Sequence, residues 1–237
     1  MSLNRQQFEQ LEMFPGQGSD VRSFKPVEKY ADMAAGMGYS DDGISSMGLS
    51  PQRLFMLGKE YQRRLGRTTA SPSLKRSYDV LRQHTNEQFD AIKQSGLDVS
   101  IGDHFYNGPR EMADDLRSGQ LKVSRTTPDQ SSAVFSDEEN DKFRAVHDVM
   151  GHGVTGRGFS PSDEYAAYEG HARTLPPAAR KALFSEVVGQ AAYWGVTGEF
   201  APQTKNVVEM PNWAVEGRDP VNRKRSYVSR YKQQRLF

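Results

Sequence analysis

The sequence contains no cysteine among its 237 residues. This absence excludes disulfide bonds, catalysis by a thiolate and zinc sites with cysteine ligands. Long apolar runs are also missing, since no stretch approaches the roughly 20 apolar residues that a membrane-spanning helix needs. The stretch Met1–Asp20 has no apolar segment of the kind found in secretion signals. We therefore expect a cytoplasmic protein that makes no membrane contact.

The chain also has almost no net charge, because 31 basic residues balance 30 acidic ones. Overall charge therefore gives no argument for nucleic-acid binding. The exception is the C-terminal stretch 218–237, where seven basic residues and two tyrosines accompany a single acid. Such a tail is able to hold a nucleic-acid backbone. The interpretation that we favour is a solvated extension, or a segment packed on a partner subunit.

Helix signals dominate the middle of the chain and predict a mainly α (α+β) domain over residues 51–217. Two short alternating stretches, residues 97–101 and 121–123, predict strands that pair into one small sheet, whose direction the pattern leaves open. Residues 1–50 are predicted to form an irregular N-terminal arm and residues 218–237 a basic tail. We expect both ends to be extended and to wrap a neighbouring subunit in a homo-oligomer.

The most informative region begins with a capping box, in which Ser136 is the cap and Glu139 follows three residues later. His147 lies on the apolar stripe of the helix that follows, and Gly151 is expected to end that helix. The ending matters, because His147 and His152 are five positions apart and would diverge by about 140° on a regular α-helix. The two histidines share a site only if the regular helix stops between them.

Three of the five histidines fall within 25 residues, and acids predicted to face inward accompany them. Glu164 and His171 share a face of one helix, while Glu186 and Gln190 lie one turn apart on the apolar stripe of the next. A carboxylate buried alone would shift its pKa and lose its charge. A metal ion removes this cost, because it pairs the charge and accepts imidazole lone pairs. A buried hydrogen-bond network inside a non-enzymatic structural protein is the alternative.

The segment FRAVHDVMGH, which contains His147 and His152, resembles the His-Asp/Glu-x-x-Gly-His segment of the aromatic amino acid hydroxylases. These are pterin-dependent, mononuclear non-haem iron enzymes with a mostly helical catalytic domain. The later segment SEVVG looks like the one that carries the family's carboxylate ligand. The resemblance implies that His147, His152 and Glu186 bind Fe(II), with three coordination positions open to dioxygen and a co-substrate.

Imidazole and carboxylate ligands also suit Zn(II) and Mn(II), which we keep as alternatives to Fe(II). Segments equivalent to the family's substrate-carboxylate clamp and pterin loop are not recognisable, so neither the amino acid substrate nor the pterin is carried over. The prediction is a hydroxylase-like or oxygenase-like enzyme that acts on a small molecule or a nucleotide, which the sequence does not identify. In it, Glu164 and His171 orient the ligands or transfer protons, and Gln190 hydrogen-bonds a metal-bound water.

A larger part of the chain is similar to uncharacterised proteins of tailed phages and prophages of actinobacteria. The likeness includes the same histidine segment together with Glu164, His171 and the stretch 185–190. It extends upstream through residues 116–123. The resemblance implies no activity, but it is compatible with a role in DNA modification or in the phage particle, and it would place the protein in the host cytoplasm.

A second enzyme class fits some of the same residues. His147-Asp148 resembles the His-Asp dyad of helical metal-dependent phosphohydrolases, in which the dyad and an upstream histidine bind an ion that activates water. His104 is then the candidate upstream histidine, and Asp163 is a candidate distal aspartate. The two hypotheses make different demands, since the iron site requires Glu186 whereas the hydrolytic site requires Asp148.

Overall fold

The structure is a computed structural model, and it describes residues 24–41, 49–65, 70–103, 106–128, 134–199, 201 and 208–216. The basic tail at 218–237 and the first 23 residues of the N-terminal arm lie outside the described residues. His104, the candidate upstream ligand of the hydrolytic site, also lies outside them. The hypotheses that rest on these parts of the chain therefore stay predictions.

Helices dominate the described part of the chain, which confirms the predicted mainly α (α+β) class. The α-helices are numbered here in chain order as α1 Glu28–Gly36, α2 Pro51–Arg64, α3 Pro72–Gln94, α4 Pro109–Ser118, α5 Asp137–His147, α6 Pro161–Arg173, α7 Arg180–Phe184, α8 Gln190–Thr197 and α9 Asn212–Val215. Serine side chains cap α2, α3, α5 and α6, and each accepts a hydrogen bond from the backbone N–H three residues later. Among the described residues, no helix combines the length and the apolar character needed to cross a membrane.

Two short strands, β1 (Asp98–Gly102) and β2 (Gln120–Ser124), form the sheet of the described chain. They run parallel, with Val99 opposite Leu121 in the register. Helix α4 connects them, and parallel neighbours need a crossover connection of this kind. The structure confirms the predicted two-stranded element and supplies the direction that the sequence pattern left open.

Among the described residues, two clusters of buried side chains form the core, and α5 contributes to both. The first cluster includes Leu57 of α2 and Tyr78 of α3, and α5 adds Phe143. The second cluster includes Tyr30 of α1 and the inner face of the sheet, and α5 adds Val146. Helix α5 therefore lies between the two clusters. Polar side chains on its buried faces are surrounded by apolar groups.

Residues 24–41, which the sequence predicts to belong to the N-terminal arm, pack against the second cluster. Phe24 and Val27 donate backbone hydrogen bonds to the carbonyl oxygens of Gly156, at 3.1 Å, and Gly153, at 2.9 Å. Gly156 has a φ of +70°, and a Cβ at this position would collide with the backbone oxygen of Phe24. This part of the chain thereby holds the loop that follows the histidine segment.

In the part of the chain that the structure describes, two helices change from α to π hydrogen bonding along their length. Helix α5 continues without a break into a first π segment, Asp148–Gly153. Helix α7 continues into a second π segment, Ser185–Gly189, which leads directly into α8. Hydrogen bonds in a π turn join residues i and i+5, and such turns are rare and frequent at functional sites. Helix α6 packs against both π segments.

Candidate metal site

The first π segment places His147 and His152 on the same side of one continuous helix. The prediction that the helix ends at Gly151 is wrong, because the chain continues in π geometry as far as Gly153. Five residues complete about one π turn, whereas they overshoot one α turn by about 140°. The two imidazole rings lie edge to face, with their centroids 4.9 Å apart. The change of helix type therefore brings the histidines together without a helix end.

Gly151 leaves the space that the His147 ring occupies. A Cβ at position 151 would lie 2.8 Å from Cε1 and 2.9 Å from Nδ1 of this ring. It would also lie 3.2 Å from the backbone oxygen of Ala167 on α6. Any larger residue at position 151 must displace either the ring or the neighbouring helix, because packed interiors have little room to adjust.

Glu164 of α6 completes a group of three with the two histidines. Its Oε2 lies 3.2 Å from Nε2 of His147, and its Oε1 lies 3.4 Å from Nε2 of His152. One donor atom from each of the three side chains lies within 4.8 Å of the others. The histidines are buried, whereas the Glu164 side chain is 20% exposed. Solvent therefore reaches the group from the Glu164 side.

The backbone of Arg157 fixes the tautomer of His152. Nδ1 of His152 lies 3.2 Å from the Arg157 carbonyl oxygen. A carbonyl oxygen only accepts, so Nδ1 carries the hydrogen and donates it. In the neutral ring, the lone pair on Nε2 then faces the Glu164 carboxylate. Two acceptors at this distance repel each other unless a proton or a metal cation lies between them.

The pKa values of His147, His152 and Glu164 reflect the repulsion between the His152 lone pair and the Glu164 carboxylate. Burial lowers the pKa of His152, but the Glu164 carboxylate and Asp148 more than offset the effect, and the pKa rises to about 9. Burial raises the pKa of Glu164, yet the two histidines outweigh it and hold that pKa far below its usual range. Burial also lowers the pKa of His147. In the metal-free protein, a proton on His152 is therefore the cation that joins the group.

His171 of α6 lies behind His147 and is fully buried. Its Nδ1 lies 3.4 Å from Nδ1 of His147, and its Nε2 lies 3.2 Å from Oε1 of Gln88 on α3. Burial lowers the pKa of His171 well below its usual value, and the nearby charges of His147 and His152 act in the same direction. His171 is therefore a neutral ring that contacts one histidine of the group.

Glu186 lies in the second π segment and has a different set of contacts. Its carboxylate accepts hydrogen bonds from the Tyr78 hydroxyl and from Nε2 of Gln190, the latter at 2.7 Å. Burial raises the pKa of Glu186, and these two hydrogen bonds oppose the rise. Among the described residues, the carboxylate that converges with His147 and His152 is that of Glu164. The structure thus brings together His147 and His152, two of the three predicted ligands. The third member of the group is Glu164, to which the sequence analysis gave the role of orienting the ligands or transferring protons.

The residues of the hydrolytic hypothesis are distributed differently. Burial raises the pKa of Asp148 to about 7, and the charges of His152 and Arg144 oppose the rise. Asp148 is close enough to His152 to affect its ionisation, but it is not part of the converging group. Asp163 instead accepts a hydrogen bond from the Ser160 hydroxyl, at 2.7 Å, beside the start of α6.

Aromatic rings surround the imidazoles. Phe143 stacks on His147 and on His171, with centroid distances of 6.3 and 6.4 Å. Phe159 packs edge to face on His152 at 5.1 Å. The Phe159 side chain is 38% exposed, which makes it the one large exposed apolar residue of the described chain. These contacts restrict the rotation of all three imidazole rings.

Sequence reasoning missed two of these neighbours, Gln88 and Phe159. A signal for Gln88 exists, because it is a polar residue on the apolar stripe of α3, seven positions after Leu81 and four before Ile92. Nothing in the sequence marks Phe159 as a neighbour of His152, since an aromatic residue beside glycines also fits an ordinary loop.

The resemblances noted for the sequence rest on the segments around the histidines and, for the phage proteins, also on residues 116–123. The geometry of these segments shows which side chains meet. It does not assign the chain to a protein family. Comparison with protein-family models, with curated proteins and with solved structures finds no match to this chain.

Proposed function

We propose that His147, His152 and Glu164 bind one divalent metal ion, and that the protein is a mononuclear enzyme of the non-haem iron type, hydroxylase-like or oxygenase-like. One observation carries the proposal, namely the convergence of two imidazole Nε2 atoms on the two oxygens of one carboxylate. Fe(II) is the ion that we favour, and Zn(II) and Mn(II) are the alternatives, because imidazole and carboxylate ligands suit all three.

The spacing of the donor atoms supports a shared ion. Bonds from such ions to imidazole nitrogen and carboxylate oxygen are about 2.0–2.2 Å long. Two donors bound at right-angled or tetrahedral positions are then about 3.0–3.5 Å apart. The two N···O distances of 3.2 and 3.4 Å lie within this range. A metal would also remove the repulsion between the His152 lone pair and the Glu164 carboxylate.

The surroundings support a catalytic rather than a purely structural ion. Two histidines and one carboxylate leave positions open on an ion of higher coordination number, which is the arrangement of non-haem iron oxygenases. Such an ion, when bound, polarises a substrate or takes part in electron transfer. The chain itself supplies the orientation of the ligands, because the Arg157 carbonyl oxygen holds His152 and the His171 ring holds His147.

The metal content of protein purified without an affinity tag tests the proposal. We expect about one ion per chain after anaerobic Fe(II) addition, measured by mass spectrometry, and loss of that ion in His147→Ala. The control is His84→Ala, which removes a partly exposed histidine of α3 and should leave the metal content unchanged.

Asp148→Asn separates the two enzyme classes in the same measurement. The iron-type site retains its ion in this variant, whereas a His-Asp hydrolytic site loses it. Absence of any ion from the wild-type protein would overturn the proposal. It would favour a buried hydrogen-bond network in which the proton on His152 supplies the positive charge beside Glu164.

Gly151→Ala should weaken metal binding by about tenfold or more, because the added Cβ displaces the His147 ring and a displaced ligand loses its bond geometry. Titration with Zn(II) in the presence of a competing chelator measures the change. Gly36→Ala is the matched control, because a Cβ at that end of α1 meets nothing within 4 Å. If the two variants bind equally well, the space at Gly151 has no influence on the site.

A further inference from the structure

We infer that Gln88, a residue of α3, is a positioning residue that determines which nitrogen of His147 is free to bind the metal. Gln88 is buried and lies 83 positions before His171 in the chain. Its amide contacts Met37, Thr174 and His171, and its influence on the ligands passes through His171. The metal-binding part of the inference rests on the proposed function, whereas the part that concerns the tautomer does not.

Thr174 fixes the orientation of the Gln88 amide. Nε2 of Gln88 lies 2.8 Å from Oγ1 of Thr174 and 3.5 Å from its carbonyl oxygen. The Thr174 hydroxyl donates its own hydrogen to the carbonyl oxygen of His171, at 2.8 Å. Oγ1 is therefore an acceptor toward Gln88, as is the carbonyl oxygen. The amide nitrogen must face Thr174, and the amide oxygen must face His171.

This orientation passes through His171 to His147. Oε1 of Gln88 accepts, so Nε2 of His171 carries the hydrogen and donates it across 3.2 Å. In a neutral ring, Nδ1 of His171 is then an acceptor. It faces Nδ1 of His147 at 3.4 Å, so the hydrogen of His147 lies on Nδ1. The lone pair of His147 is left on Nε2, which lies 3.2 Å from Oε2 of Glu164. In the metal-free protein this carboxylate favours the opposite tautomer, with the hydrogen on Nε2, so the acceptor on His171 is what holds the hydrogen on Nδ1.

The opposite orientation of the amide would block the site. Its nitrogen would then donate to Nε2 of His171, and Nδ1 of His171 would carry the hydrogen. His147 would have to accept on Nδ1 and carry its hydrogen on Nε2, directed at the Glu164 carboxylate. A protonated Nε2 cannot bind a metal, because the lone pair is the ligand. A hydrogen-bond acceptor at position 88 thus determines whether Nε2 of His147 has a lone pair for the metal or carries a hydrogen that blocks binding.

Two substitutions at position 88 distinguish this role from simple packing. Gln88→Met keeps the approximate volume but removes the acceptor, whereas Gln88→Glu keeps an acceptor for His171 and buries a charge. On packing and burial alone, the glutamate variant should be the less stable of the two. If the acceptor matters, Gln88→Glu should nevertheless bind the metal more tightly than Gln88→Met. Gln83→Met, on the exposed face of the same helix, is the control.

The experiment has two readouts. Long-range proton–nitrogen NMR spectra of the metal-free protein report the tautomer of each histidine, and titration with Zn(II) against a chelator reports the affinity. We expect His147 to carry its hydrogen on Nδ1 in the wild type, in Gln88→Glu and in Gln83→Met, and to populate both tautomers in Gln88→Met. We expect the Zn(II) affinity of Gln88→Met to fall by about tenfold or more, and that of Gln88→Glu to stay closer to the wild type.

Wild-type His147 with its hydrogen on Nε2 would overturn the inference, as would a Gln88→Met variant with the wild-type tautomer. Equal loss of Zn(II) affinity in the methionine and glutamate variants would also overturn it, since the acceptor would then have no effect. A wild-type protein that binds no Zn(II), Fe(II) or Mn(II) contradicts the proposed function instead. The tautomer spectra still decide the role of Gln88 in that case, because they need no metal.

Discussion

Glu164→Gln should lower the metal affinity of the site by at least about hundredfold, while the metal-free protein remains folded. Loss of a residue that merely orients a ligand costs about 10- to 100-fold in affinity, and loss of a charged ligand should cost no less. The glutamine amide can donate to the Nε2 lone pair of a neutral histidine, so the variant no longer needs a cation beside His152. Titration with Zn(II) measures the affinity, and thermal unfolding of the metal-free protein monitors the fold.

Glu186→Gln is the matched comparison, because the sequence resemblance implies that Glu186 is the carboxylate ligand. Its carboxylate instead accepts hydrogen bonds from Tyr78 and Gln190. We expect this variant to keep an affinity within a few-fold of the wild type. A loss of affinity in Glu186→Gln, with Glu164→Gln unaffected, would reassign the ligand to Glu186. The pair of variants therefore decides between the two carboxylates.

Local sequence signals were sufficient for much of the fold. The capping box at Ser136 and Glu139 is present, with both of its hydrogen bonds. The Ser-Pro pair at Ser50 is a similar local signal and begins α2, because proline at the first turn loses no hydrogen bond and serine caps the free N–H groups. These features involve residues a few positions apart, so the hydrogen bonds that define them can be recognised from the local sequence.

The π segments could not be predicted in the same way. The periodicity used to recognise helices assumes about 3.6 residues per turn, and on that assumption His147 and His152 diverge. The π turn is stabilised by tertiary packing, in which α6 lies against the segment and a glycine admits the His147 ring. The sequence correctly required something unusual between the two histidines. It did not distinguish a helix end from a change of helix type.

The carboxylate partner depends on the same long-range information. Both Glu164 and Glu186 lie on helical faces predicted to point inward, so helical phase alone cannot rank them as ligands. Their contacts distinguish them, because Tyr78 of α3 donates a hydrogen bond to Glu186. The two histidines lie beside Glu164 instead. Gln88 is a stronger example, because its effect on His147 passes through a residue 83 positions away.

Metal affinity should rise by about tenfold per pH unit from about pH 6 to about pH 8, and should level off only above about pH 9. The proton on His152 occupies the position that the metal requires. Because the pKa of His152 in the metal-free protein is about 9, this proton is present through the neutral range and must leave when the metal binds. Removing protons by raising the pH therefore favours the metal. Glu164 adds nothing to the slope, because its lowered pKa keeps it ionised throughout.

Competition titrations with Zn(II) at a series of pH values measure the slope. Asp148, whose pKa is about 7, gains its charge inside the same range, and a nearby negative charge also favours a cation. Asp148→Asn should therefore make the dependence shallower without reversing its sign. In Glu164→Gln, the pKa of His152 loses the carboxylate that raises it, so the rise in the residual affinity should end at a lower pH than in the wild type. An affinity that does not change with pH in the wild type would mean that the metal binds without displacing the proton, away from the Nε2 atoms of the two histidines.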